Sequence, residues 1–210
     1  MIKNIIFDLD GTLANSEELI INSFQHIYLK FKGSNRSEEY IKSTFGATLK
    51  DVIKTEFSEN PEIVLQEYRN YHHENFEKYM KLFNGAKEII EYLYNNNYYL
   101  GIVTSRLEYT TLKILEMYNI KKYFSSIITA DMCVYHKPHS EPLLKCLAEL
   151  HGIKDESIFI GDTIYDIECA KNSGVKSILV SWNNQQNNGF TINPDYIISN
   201  YEEIRKIILY

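Results

Sequence analysis

The sequence predicts an α/β fold, a parallel sheet interrupted by one inserted helical domain. Three observations predict it. Outside residues 17–82, short apolar runs alternate with helical stretches, the pattern of strands joined by crossover helices. Two of those runs end in acids, Ile6-Phe7-Asp8-Leu9-Asp10 and Phe159-Ile160-Gly161-Asp162, and the carboxyl edge of an open α/β sheet is where ligands bind. The stretch 17–82 is too long for a simple crossover and shows no clear strand.

Residues 2–8 are the first predicted strand. Residues 17–32, 37–44, 49–57 and 61–80 read as helices of a domain inserted after it. Hinges are expected near Ala14-Asn15 and Phe83-Asn84-Gly85, so that residues 15–83 form the insertion and residues 1–14 and 84–210 the core. An insertion there can close over a site at the sheet edge and exclude water. The next strands are 98–104, 126–129, 157–161 and 176–181, with 196–198 as an edge strand. Helices at 86–94, 108–118, 141–151 and 166–173 alternate with them. Each ends at a turn signal such as Asn95-Asn96-Asn97, Gly152 or Gly174. The polar stretch 183–189 reads as a surface loop.

A chain of 210 residues can bury one core and a small accessory domain. No apolar run is long enough to cross a bilayer, and no basic-then-apolar leader opens the chain. Cys133, Cys146 and Cys169 are scattered, with no Cys-x-x-Cys pair, as expected of reduced thiols in a cytoplasmic protein. A net charge of −6 argues against a nucleic-acid backbone as partner. It leaves room for an anionic small molecule, because a metal and one lysine can invert the local field. A monomer or homodimer without nucleic-acid or membrane partners is expected.

Four segments carry chemistry. Asp8 and Asp10 point the same way if the first strand continues, and two converging carboxylates repel unless a cation or proton intervenes. In Thr104-Ser105-Arg106, a hydroxyl after a strand either caps the next helix or donates to a phosphate oxygen. Arg106 either reaches a substrate phosphate or stands in solvent. Lys137, just before Pro138, lies outside regular helix and could aim its charge at Asp8. Asp162 and Asp166 form Gly-Asp-x-x-x-Asp. Mg²⁺ takes hard oxygen ligands and keeps several waters. Asp8, a backbone carbonyl and Asp162 would suffice, with Asp166 a ligand or an outer orienter.

In one order the chain thus shows DxDGT, a strand-end hydroxyl, a lysine and GDxxxD. In this it resembles the haloacid dehalogenase superfamily over nearly its whole length. The resemblance implies a Rossmann-like core, with the insertion as a type-1 helical cap. It departs at Lys137-Pro138-His139-Ser140-Glu141-Pro142, where the family's Lys-Pro-x-Pro-x-Pro would carry a middle proline.

The resemblance implies that Asp8 is a nucleophile forming an aspartyl-phosphate and Asp10 the acid and then the base. Mg²⁺ belongs with Asp8, Asp10, Asp162 and Asp166. Lys137, Thr104 and the backbone around Leu9 and Ser105 hold the transferring group. The true dehalogenases of the family lack an acid at the place of Asp10.

The nearest branch contains phosphoglycolate phosphatases and pyrophosphatases. Four strings carry that likeness: Asn15-Ser16-Glu17-Glu18-Leu19-Ile20, Tyr68-Arg69-Asn70-Tyr71-His72-His73, Val180-Ser181-Trp182 and Pro194-Asp195-Tyr196. Phe45-Gly46-Ala47-Thr48-Leu49 resembles a substrate-facing cap loop, with Ala47 in place of the usual proline. Arg69, His72 and His73 either meet the distal phosphate or a carboxylate of the substrate, or stand exposed on a long cap helix.

The expected function is Mg²⁺-dependent hydrolysis of inorganic pyrophosphate or phosphoglycolate. The alternatives are a nucleotide or sugar-phosphate phosphatase and a phosphoglucomutase-like phosphotransferase. The loop 44–49 offers no arginine for the second phosphate that the last would need. A non-catalytic binding protein on this fold would have no need of a nucleophile.

Overall fold

A computed structural model describes residues 1–45, 47–182 and 192–209. The stretch read as a surface loop at 183–189, and Gly46, lie outside the described residues. Six parallel strands form the main sheet: β1 (Asn4–Phe7), β4 (Tyr99–Val103), β5 (Ser126–Ile128), β6 (Ser157–Gly161), β7 (Lys176–Val180) and β8 (Tyr196–Ile198). Their order is β5-β4-β1-β6-β7-β8. The chain builds outward from β1 to β5 on one side, then returns and builds outward from β6 to β8. The crevice where strand order reverses, at the carboxyl ends around β1, is the ligand position of such sheets.

The period-2 alternation of strands fills both faces. Ile5 and Phe7 of β1 join Leu100, Ile102, Ile158 and Ile160 in one cluster. It is covered by α5 (Ala86–Asn95), α6 (Glu108–Met117) and α9 (Glu202–Ile208). Ile6, Val103, Ile128 and Phe159 face the other way, under α7 (Glu141–Glu149) and α8 (Ile164–Ser173). The inserted helices α1 (Glu17–Lys32), α2 (Glu38–Lys42), α3 (Leu49–Glu56) and α4 (Pro61–Tyr79) bury a separate cluster. Phe24, Ile27 and Tyr28 of α1 pack there with Ile53, Leu65 and Tyr68.

The structure corrects the strandless reading of residues 17–82. Lys81–Leu82 (β3) pairs antiparallel with Ala14–Asn15 (β2), joining the way into the helices to the way out. A two-residue ladder is too short to leave a periodic signal. The helix α9 also escaped the sequence reading, being two turns at the end of the chain. Around the ladder, distant residues clamp the backbone. Trp182 Nε1 donates to the Gly11 carbonyl at 3.1 Å, and the buried Tyr201 hydroxyl donates to the Thr12 carbonyl. The two rings lie 4.5 Å apart, with Phe83 6.0 Å from Trp182.

Tyr201→Phe keeps the ring but leaves the Thr12 carbonyl without its donor. Such a loss costs about 1–3 kcal/mol, to be read from denaturant midpoints. Unchanged stability would show that this clamp does not hold the loop.

Candidate active site

Sheet register assembles the site. Phe7 pairs with Ile102 on β4 and with Ile160 on β6, so Asp8 comes level with Val103 and Gly161, and Thr104 and Asp162 follow one residue on at the same edge. Asp8 is buried and bonded through its N–H to the Ile160 carbonyl. Lys137, from the loop before α7, reaches into this edge with its side chain 3% exposed. Its ammonium donates to Asp8 Oδ1 at 2.7 Å and to Asp166 Oδ1 at 2.6 Å. Asp166 stands in the first turn of α8, where Oδ2 accepts from the N–H and hydroxyl of Thr163 at 3.0 and 2.7 Å. A Cβ at position 161 would lie 2.3 Å from the Asp166 Cβ. Glycine before Asp162 is therefore what lets α8 bring Asp166 to the strand end.

Charge balance explains the electrostatics. Burial pushes the Asp8 carboxyl up to about 7, with Lys137 pulling it down and Asp166 pushing it up. Burial lowers Lys137, but the two carboxylates outweigh it and keep the ammonium charged. Asp8, Asp162 and Asp166 bring ligand oxygens within 4.8 Å of one another, all three residues buried. Three carboxylates against one lysine leave excess negative charge, and buried charges must be paired or must coordinate a metal. An all-oxygen donor set suits a hard cation such as Mg²⁺. Both Asp166 oxygens already accept hydrogen bonds, Oδ1 from Lys137 and Oδ2 from Thr163.

Asp10 belongs to a second unit rather than to that cluster. The Arg106 Nε and Nη2 donate to its two oxygens at 2.8 and 2.6 Å. Burial raises the Asp10 carboxyl, but the Arg106 charge and hydrogen bonds win and hold it below the usual range. Arg106 is thus neither in solvent nor free for a phosphate alone, with its side chain 8% exposed. Its Nη1 lies 3.4 Å from Nε2 of His72 on α4. Arginine can only donate, so this ring nitrogen must accept. Burial first, and Arg106 second, push His72 down to about 3, which keeps the ring neutral.

The other sequence-selected residues fall as follows. Thr104 is buried, and its Oγ1 accepts from the Arg106 N–H at 3.2 Å. A hydroxyl that accepts can still donate its own proton. Ser105 lines the same cavity. The Leu9 carbonyl is tied to the N–H groups of Leu13 and Ala14. Arg69 and His73 are exposed on α4 at the cavity wall, while His72 between them is buried. The helix phase decides this: Tyr68, His72 and Phe76 lie four apart on one buried stripe. Reading that stripe in the sequence would have separated His72 from its neighbours. A cavity of about 920 Å³ runs between the inserted helices and the sheet edge.

The haloacid dehalogenase-like hydrolase family profile matches residues 5–180. The chain is 29% identical to pyrophosphatase PpaX of Anoxybacillus flavithermus over 208 residues, covering 99% of this chain and 97% of that protein. It is 30% identical to pyrophosphatase PpaX of Halalkalibacterium halodurans, with the same coverage. The crystal structure of a predicted phosphoglycolate phosphatase from Haemophilus somnus superposes with a TM-score of 0.84 at 23% identity, covering 98% of this chain and 97% of that one. The chain belongs to the haloacid dehalogenase-like hydrolases, in their phosphatase branch.

Proposed function

We propose that this hydrolase acts on inorganic pyrophosphate or phosphoglycolate, with Mg²⁺, through an aspartyl-phosphate on Asp8. The observation that carries the proposal is the buried Lys137 ammonium shared between Asp8 and Asp166 at 2.7 and 2.6 Å. It fixes one carboxylate at a strand end that lines the cavity. Residues 15–83 serve as the cap, and residues 1–14 and 84–210 as the core.

In this reading an Asp8 oxygen bonds to phosphorus as the bond to the leaving oxygen breaks, and Asp10 gives that oxygen a proton. Asp10 then takes a proton from a water. The water oxygen bonds to the same phosphorus, and the Asp8–phosphorus link breaks to release phosphate. Lys137 holds Asp8 in line and balances charge on the phosphoryl oxygens, while Thr104 and the backbone at Leu9 and Ser105 position them. Asp8 and Asp162, with Asp166 as orienter, would hold Mg²⁺, which would supply further charge neutralisation for the transferring group. In the resting arrangement the Arg106 fork favours ionised Asp10, the form that accepts a proton from water. Donating one first requires Arg106 to share itself with the substrate.

The pyrophosphatase relatives favour pyrophosphate. A second reading, a sugar or nucleotide monophosphate, is favoured by the 920 Å³ cavity, which exceeds what so small an anion fills. Phosphate release from a panel of these compounds, with and without Mg²⁺, decides between them. One compound should stand well above the rest in kcat/KM. Asp8→Asn or chelation should lower its turnover by at least about 10³-fold. Turnover that survives Asp8→Asn would refute the nucleophile.

A stability measurement tests the cation site. A carboxyl raised in the native state keeps a proton there that the unfolded chain has lost. The Asp8 contribution to stability therefore falls as pH rises from about 4 to about 7. In Mg²⁺-free buffer, the stability of wild type relative to Asp8→Asn should decline across that window, and saturating Mg²⁺ should flatten the decline. A difference that rises with pH would contradict the electrostatics described above.

A further inference from the structure

We propose that Arg106 selects the substrate by its leaving side, receiving a second anionic group, a phosphate or carboxylate, carried by the leaving group. This rests on the phosphohydrolase reading and on Asp10 meeting the leaving oxygen.

The two cations deepest in the site divide the work by position. Lys137 is committed between Asp8 and Asp166, on the side of the transferring phosphoryl group. Arg106 grips Asp10 with one N–H of Nε and one of Nη2, and offers one of Nη1 to His72. A guanidinium has five N–H groups in a fixed fork. One on Nη1 and one on Nη2 therefore remain, and the residue lines the cavity. Both Asp10 oxygens lie within 2.8 Å of the guanidinium, so any group attached to the oxygen that meets Asp10 comes against that fork. Its planar geometry suits two oxygens of a phosphate or carboxylate.

The surroundings point the same way. His72 is neutral and braces the fork from α4 without adding charge. Lys113 faces Glu77 on α4 at 3.7 Å and covers the Phe76 ring, so its charge is turned toward the inserted helices. Arg69 and His73 also line the cavity from α4, but they are exposed where Arg106 is buried. Arg106 itself makes and breaks no bond; it binds the departing anion.

The test compares substrates whose leaving groups carry or lack a second charge. These are phosphoglycolate against 2-hydroxyethyl phosphate, and pyrophosphate against acetyl phosphate. Within the first pair both leaving oxygens need a proton, so a misplaced Asp10 slows both alike. Arg106→Gln should lower kcat/KM for both members of a pair, but the ratio of charged to uncharged should fall a further 10- to 100-fold or so. Most of that further fall should appear in KM. Arg106→Lys, which keeps the charge without the fork, should recover part of the ratio. It also carries the test if Arg106→Gln folds poorly in a thermal melt. An equal fall in both members, with the ratio unchanged in both variants, would mean that Arg106 only braces Asp10 and would overturn the proposal. If wild type with Mg²⁺ turns over neither pair, the pyrophosphate and phosphoglycolate reading fails and the proposal with it.

Discussion

The buried triangle of Asp8, Lys137 and Asp166 is the constraint on which the rest of the structure depends. An ammonium so enclosed survives only because two carboxylates surround it, and each carboxylate tolerates burial only because of the ammonium. Removing one partner from such a pair costs about 3–5 kcal/mol, since a charge is left buried without compensation. The three residues come from the end of β1, the loop before α7 and the first turn of α8. The triangle therefore ties both halves of the sheet across the point where strand order reverses. Gly161 belongs to this constraint, because any side chain there would meet Asp166.

A second ion pair, Asp10 with Arg106, sits beside the first and differs from it in kind. It lies at the seam between the sheet edge and α4, and His72 reaches it from the inserted helices. The first unit is closed on itself, with both Asp166 oxygens and the Lys137 ammonium engaged. The second keeps unused donors facing a cavity. That asymmetry fits a site in which one end of the substrate is transferred and the other end is recognised. Behind both, Trp182 and Tyr201 hold the backbone of residues 11 and 12 from the far side of the core.

What the sequence made legible was what repeats or what punctuates. Glu17–Lys32, Ser157–Gly161 and Tyr196–Ile198 were bounded correctly by turn residues and apolar periodicity. Asp8 and Asp162 were singled out as strand-end acids, and Lys137 and Asp166 only because the ordered set of segments includes them. Pairings between remote residues were not legible. Nothing in Thr104-Ser105-Arg106 says that the arginine folds back on Asp10, 96 positions earlier. The β2–β3 ladder is too short for a period, and α9 offers only Ile204 and Ile208 as buried anchors. Burial of His72 was readable in principle from its place between Tyr68 and Phe76. Grouping it with Arg69 and His73 ignored the helical phase.

The central claim is that Asp8 carries the phosphoryl group. Its most direct test is a rapid quench of the Mg²⁺-loaded enzyme during turnover, followed by borohydride reduction and peptide mass spectrometry. An aspartyl-phosphate is reduced to homoserine. The account predicts homoserine at position 8, in larger amount in Asp10→Asn, where the water that clears the intermediate lacks its base. Unmodified Asp8 in both proteins, sampled while wild type is releasing phosphate, would contradict it.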